Sequence, residues 1–125
     1  RAHDDVHDLT QNATYFIRPD GVGQPGTTLN WSEKSDGAQT RDLPWKAMCV
    51  TLRDTQATIV YLDHPGNPKP ARASERSYGR FGTYFATTVK REAPLRVRYR
   101  LVVHPGEYKG PEEVAPLSAA YLAIP

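Results

Sequence analysis

The sequence is short of several things, and each shortage excludes something. One cysteine, Cys49, in 125 residues leaves no intrachain disulfide framework and no cysteine-based zinc cluster. No apolar run approaches the ~20 residues that a membrane-spanning helix needs. Charge of either sign is not in large excess: 16 basic against 14 acidic residues give a net charge of +2. That balance argues against a nucleic-acid module, which concentrates a basic excess on one face. There is no GxSxG elbow and no phosphate-cradling P-loop. The run Gly21-Val22-Gly23-Gln24-Pro25-Gly26 matches GxGxxG in letters only, because Pro25 and the missing helix after it remove the mechanism.

What is present reads as mainly β, with one short C-terminal helix. Residues 1–13 form a polar lead-in. Thr14–Arg18 is β-branched and aromatic and stops at the turn sequence Pro19-Asp20-Gly21. Residues 19–45 hold four Gly and three Pro and read as one long loop, a kind of segment that is usually functional. From Lys46 to Arg53, Met48, Val50 and Leu52 share one face, and Ala47, Cys49 and Thr51 the other. A turn at Asp54-Thr55 would lead into a second strand, Gln56–Leu62. Thr83–Val89 alternates less cleanly. Leu95–Val103 alternates best, with Leu95, Val97, Tyr99, Leu101 and Val103 opposite Arg96, Arg98 and Arg100. It predicts a half-buried antiparallel strand. After Pro111, Glu112 and Glu113 suit a helix start, and Val114, Leu117, Tyr121 and Leu122 form its apolar stripe. Pro116 weakens that helix without abolishing it. Two strands end in His-Pro-Gly, at 64–66 and 104–106, where Pro-Gly fits a type II turn.

Several groups could carry chemistry. Three prolines in the six residues 65–70 stiffen a loop that starts at Asp63 and His64 and holds Asn67. Fixed Asp, His and Asn side chains suit sugar hydroxyls, which need donors and acceptors in set positions. The competing reading makes Asn67 and Asp63 caps of backbone turns. If there is acid–base chemistry, Asp63 or His64 would carry it. Arg76, Tyr78, Arg80 and Tyr84 lie around Gly79 and Gly82 and, with Trp31, are candidates for a ligand-binding pocket, since sugar C–H faces stack on aromatic rings. Trp45 leads into a strand and reads as core. Cys49 lies in an apolar strand and behaves there as a small hydrophobe. The arginine row could grip a carboxylate or sulfate, or simply be a solvated face. His64, His104, Asp63 and Glu107 lack metal-ligand spacing, so neither a metal nor a cofactor is expected.

The ordered set Arg18-Pro-Asp-Gly, Gly26-Thr-Thr-Leu-Asn-Trp31, Asp42-Leu-Pro-Trp-Lys-Ala-Met48, Leu62-Asp-His-Pro-Gly-Asn-Pro-Lys-Pro70, Ser77-Tyr-Gly-Arg-Phe-Gly82 and Leu95–His104 resembles the DUF6807 family over about residues 14–123. That family has also carried the label methane oxygenase PmoA, which a chain without a spanning helix does not suit. The resemblance implies an antiparallel β-sandwich similar to galactose-mutarotase-like domains, of which residues 14–125 would be the C-terminal portion. It also implies export to the periplasm or beyond and an association with sugar metabolism. Two functions follow as expectations. One is a carbohydrate-handling domain with a loop-lined pocket. The other is a structural or assembly module whose apolar strand face meets the N-terminal part of its own domain or another subunit.

Overall fold

The computed structural model describes residues 14–26, 41–76 and 79–125. The fold is mainly β and antiparallel throughout, with one short C-terminal helix. The strands are β1 (Tyr15–Arg18), β2 (Gly21–Val22), β3 (Trp45–Leu52), β4 (Thr55–Asp63), β5 (Arg72–Arg76), β6 (Arg80–Tyr84) and β7 (Tyr99–Pro105), and the helix is α1 (Pro111–Leu122). Five strands form one sheet in the order β2-β1-β3-β4-β7, and β5 and β6 form a separate hairpin. Two sheets facing each other, with the helix on the far side, make a sandwich-like arrangement of three layers.

The alternation in β3 sets the layers. Trp45, Ala47 and Cys49 join Ile17, Val60 and Leu62 in a buried cluster completed by Val114 and Tyr121 of α1. The intervening Met48 and Val50 join Phe16 in a second cluster, against which Phe81 of β6 packs. β3 is therefore buried on both faces, and every residue from Trp45 to Val50 is inaccessible, Lys46 included. β3 and β4 pair from Trp45↔Leu62 to Leu52↔Thr55. That register puts the turn at Arg53-Asp54, one residue before the expected position, and Arg53 takes a left-handed φ of 58° to close it.

Other expectations need correction. The stretch read as a single loop contains β2, whose Gly21 and Val22 pair with Arg18 and Ile17. Of Thr83–Val89 only Thr83 and Tyr84 are strand, as the end of β6, which starts earlier, at Arg80. β5 is not expected from the sequence, because its half-buried Arg72, Ser74 and Arg76 alternate with a small Ala73 and a charged Glu75, which shows no apolar periodicity. The clearest predicted strand begins four residues later than its pattern, at Tyr99, and its apolar row is not covered. Leu101 is 63% and Val103 70% exposed. The reason is position. β7 lies at the sheet edge, and the β5–β6 hairpin covers β1, β3 and β4 instead.

In α1, Pro111 occupies the first turn, and Glu113 reaches back to accept the Lys109 N–H at 2.5 Å. The helix runs through Pro116. Its buried stripe is Val114, Ser118 and Tyr121, while Leu122 turns to solvent. Among the described residues no helix is long and apolar enough to cross a membrane. Of the two His-Pro-Gly sequences, only the second has its glycine in the left-handed region, at Gly106 with φ 97°. At the first, the Asn67 N–H closes a turn on the His64 carbonyl without a positive φ at Gly66, so the type II expectation does not hold there.

Candidate functional site

The end of β4 and the loop after it bring the most polar chemistry together. Asp63 is 3% exposed, and both of its carboxylate oxygens are engaged. Oδ1 accepts from the Asn67 amide at 2.6 Å and Oδ2 from the Lys69 ammonium at 2.5 Å. The same Asn67 amide donates to the Arg98 carbonyl at 2.7 Å, and its oxygen accepts the Arg98 N–H at 2.7 Å. Asn67 thus stands in for a strand partner: it continues the β4–β7 ladder beyond Tyr99, where the chain of β4 turns away. Of the two acid–base candidates, Asp63 has both oxygens engaged in this clamp, while His64 stands outside it.

His64 points elsewhere. Its Nδ1 accepts the Gly66 N–H at 3.0 Å, so the neutral ring carries its proton on Nε2. The imidazole meets the Tyr121 ring edge-on at 6.0 Å, and the Arg100 guanidinium lies 5.0 Å from the centre of that same ring. Together with Arg98, Tyr99 and Ile124 these residues line an open cleft of about 400 Å³. Among the described residues no Asp or Glu side chain lines it, and Arg98 and Arg100 are its charged side chains.

Tyr84 lies in a different place. It is half exposed and, with Pro70, Arg72 and Phe85, borders a second cleft of about 340 Å³. Arg76 sits opposite Arg80 in the hairpin register. Trp31 and Tyr78 lie outside the described residues, as does the side chain of Arg80. The structure therefore divides the expected pocket. His64 faces one cleft, Tyr84 the other, and Asp63 and Asn67 hold the loop between them. The metal candidates are likewise apart. Asp63 pairs with Tyr99 and His104 with Thr58, five residues along β4. That separation is about 17 Å at strand rise. No group of three potential ligands is close enough to hold a metal ion among the described residues.

A family model described as a family of unknown function, DUF6807, matches residues 5–119. The chain belongs to the DUF6807 family. Comparison with curated proteins and with solved structures returns no match.

Sequence reasoning missed the buried charges of this DUF6807 chain. Lys46 is 1% exposed beneath the β5–β6 hairpin, where its ammonium donates to the Gly82 carbonyl. It lies 5.3 Å from the Tyr61 ring and 5.5 Å from that of Phe81. Burial lowers its pKa to about 8, although Glu75 and Asp63 pull the other way. Beside it Glu75, fully buried, accepts from the Arg18 guanidinium, with Nε at 3.1 Å from Oε2. This pair ties the hairpin to β1. A signal for Lys46 was present, since it falls in step with Met48 and Val50 on one face of a strand. Glu75 and Arg18 offered none: they stand 57 positions apart and meet only through the fold.

Proposed function

We propose that this DUF6807 chain is a non-catalytic, carbohydrate-associated β domain that binds an acidic saccharide in the cleft of His64, Arg98, Arg100 and Tyr121. The observation that carries the reading is the cationic lining of that cleft. Arg98 and Arg100 line it together with His64, whose neutral ring carries its proton on Nε2, and with apolar Val97 and Ile124. Among the described residues no carboxylate side chain opposes them. Such a set favours an acceptor-rich ligand with an apolar face, as a uronic acid presents. The implied association of the family with sugar metabolism supports the same ligand class. Acid–base catalysis is the weaker version, because the Asp63 carboxylate is spent on Asn67 and Lys69.

The test is titration calorimetry with galacturonate and glucuronate oligomers against neutral glucose and galactose oligomers. The acidic sugars bind and the neutral ones do so at least tenfold more weakly, at about 1.5 kcal/mol for a charge-assisted bond. His64→Ala weakens binding by a similar factor. Equal affinity for both classes, or binding untouched by His64→Ala, would sink the proposal.

A second reading, an assembly module, is favoured by a separate observation. The apolar side chains of β7 stand in solvent at the edge of the main sheet.

A further inference from the structure

The two edges of the five-stranded sheet are not alike. β2 is two residues long, which leaves little backbone to template another strand. β7 is seven residues long, and no described strand pairs with its outer side. Its direction of hydrogen bonding follows from the ladder. The Gly106 N–H donates inward to the Gln56 carbonyl, and the Arg98 N–H and carbonyl are both used inward by Asn67. Because antiparallel pairing alternates by residue, Arg100, Val102 and His104 bond inward to β4. Tyr99, Leu101 and Val103 then present their N–H and carbonyl groups outward. These same three residues carry the exposed apolar side chains of the strand, at 38%, 63% and 70%.

Natural edge strands are protected by inward charges, bulges, prolines or brevity. Here only Pro105 ends the strand, and Leu101 and Val103 have no protection. The charge beside them has one sign. Residues 91–101 are all exposed, and the stretch 90–100 holds Lys90, Arg91, Arg96, Arg98 and Arg100 against Glu92 alone. Arg96, Arg98 and Arg100 recur at every second residue, out of step with the apolar row. An added strand lying along this edge would therefore meet apolar side chains at one parity and guanidinium groups at the other.

We infer that β7 and the basic segment leading into it form a docking edge for a strand from a partner protein, one that alternates acidic and apolar residues. This goes beyond the saccharide cleft and gives the assembly reading, on which it rests, a partner chemistry. The main-chain bonds of such an addition supply affinity, and the alternation supplies specificity. A nucleic acid would answer the arginines but leave Leu101 and Val103 uncovered. A second copy would bring its own basic segment rather than an acidic face.

The experiment uses two synthetic nine-residue probes, one alternating Val and Glu and the other Val and Lys, with fluorescence anisotropy for affinity and amide hydrogen exchange for place. The Val/Glu peptide binds at least about tenfold more tightly than the Val/Lys peptide, since like-charge juxtaposition is strongly disfavoured. The amides of Tyr99, Leu101 and Val103 gain protection, while those of Arg100 and Val102 are already protected in the free chain. Arg96→Glu narrows the preference. Leu101→Pro, which removes an outward donor, abolishes binding, and Leu101→Glu, which keeps the donor but sets a like charge against the acidic peptide in place of an apolar contact, weakens it at least about tenfold should the proline variant not fold. Neither Arg96 nor Leu101 lines the saccharide cleft, so the two readings fail independently. Equal binding of both peptides overturns the inference, as does binding without protection of the three outward amides. So does self-association that protects them in the free chain, which would make a second copy the occupant. Tighter binding of oligodeoxythymidine than of the Val/Glu peptide would overturn it in favour of nucleic acid.

Discussion

The two faces of the main sheet bury themselves by different means. On the helix side, Trp45, Ala47, Val60 and Leu62 meet Val114 and Tyr121, and the buried polar groups are small and satisfied. Thr58 donates to the Gly106 carbonyl at 2.9 Å and accepts the Tyr108 N–H at 3.0 Å, and Cys49 lies against it as a buried thiol. On the hairpin side, Phe16, Met48, Val50 and Phe81 share the interior with a lysine, an arginine and a glutamate. The first face is held by area removed from water. The second is held in part by charges that must stay paired, because an isolated buried charge is strongly unfavourable. The helix side therefore tolerates volume changes poorly, and the hairpin side tolerates the loss of a partner poorly.

The largest expected effect tests the first half of that contrast. Trp45→Ala should cost about 3–5 kcal/mol in urea unfolding, the usual result of emptying a large aromatic site in a core. Next, Glu75→Gln leaves the Arg18 guanidinium beneath the hairpin with a neutral partner. It should cost about 2–4 kcal/mol, toward the lower end because Arg18 keeps some access to water. The double variant Arg18→Met/Glu75→Met should recover most of that loss. A double-mutant cycle showing simple additivity would remove the ion pair from the account.

Lys46 gives a smaller effect with a definite direction. Its pKa is about 8 when folded against 10.5 when free, so between those values the unfolded chain binds more protons and stability rises with pH. The gain from pH 8 to pH 10 should be roughly 2 kcal/mol, and Lys46→Met should flatten it. Tyr15 and Tyr61 act in the opposite sense. Burial pushes both phenols up, so the stability they contribute is complete below pH 10 and is lost as the pH climbs further. A stability profile with no rise between pH 8 and 10 would contradict the burial of Lys46. The smallest effect belongs to the edge. Leu101→Lys should change stability by no more than about 0.5 kcal/mol, since that side chain already stands mostly in solvent.

How much of this was legible depends on how local its cause is. β3 was legible because two interleaved sets, Trp45-Ala47-Cys49 and Lys46-Met48-Val50, repeat at period two. The helix was legible from Pro111, Glu112 and Glu113, whose effects act within a single turn. β5 was not, because the burial of Glu75 depends on Arg18 in a different sheet. In the candidate site, the stiff loop at 63–70 was visible, and so was His64 at its start. That His64 would face Tyr121 and Arg100, and not Tyr84, was not visible, because those neighbours come from the C-terminal helix and the edge strand.

By itself the sequence determined the class of fold, the strand and helix periods, and the rigid turns, since each arises from sterics and hydrophobic spacing within a few residues. It also established, in its single cysteine and balanced charge, what the protein is not built from. Only the tertiary structure decided which apolar rows became core and which became surface. The alternation of Leu101 and Val103 is as regular as that of Met48 and Val50, yet one pair stands in solvent and the other is closed in. The difference is the place of each strand in the sheet and the reach of the hairpin over it, a matter of long-range packing that local spacing does not encode.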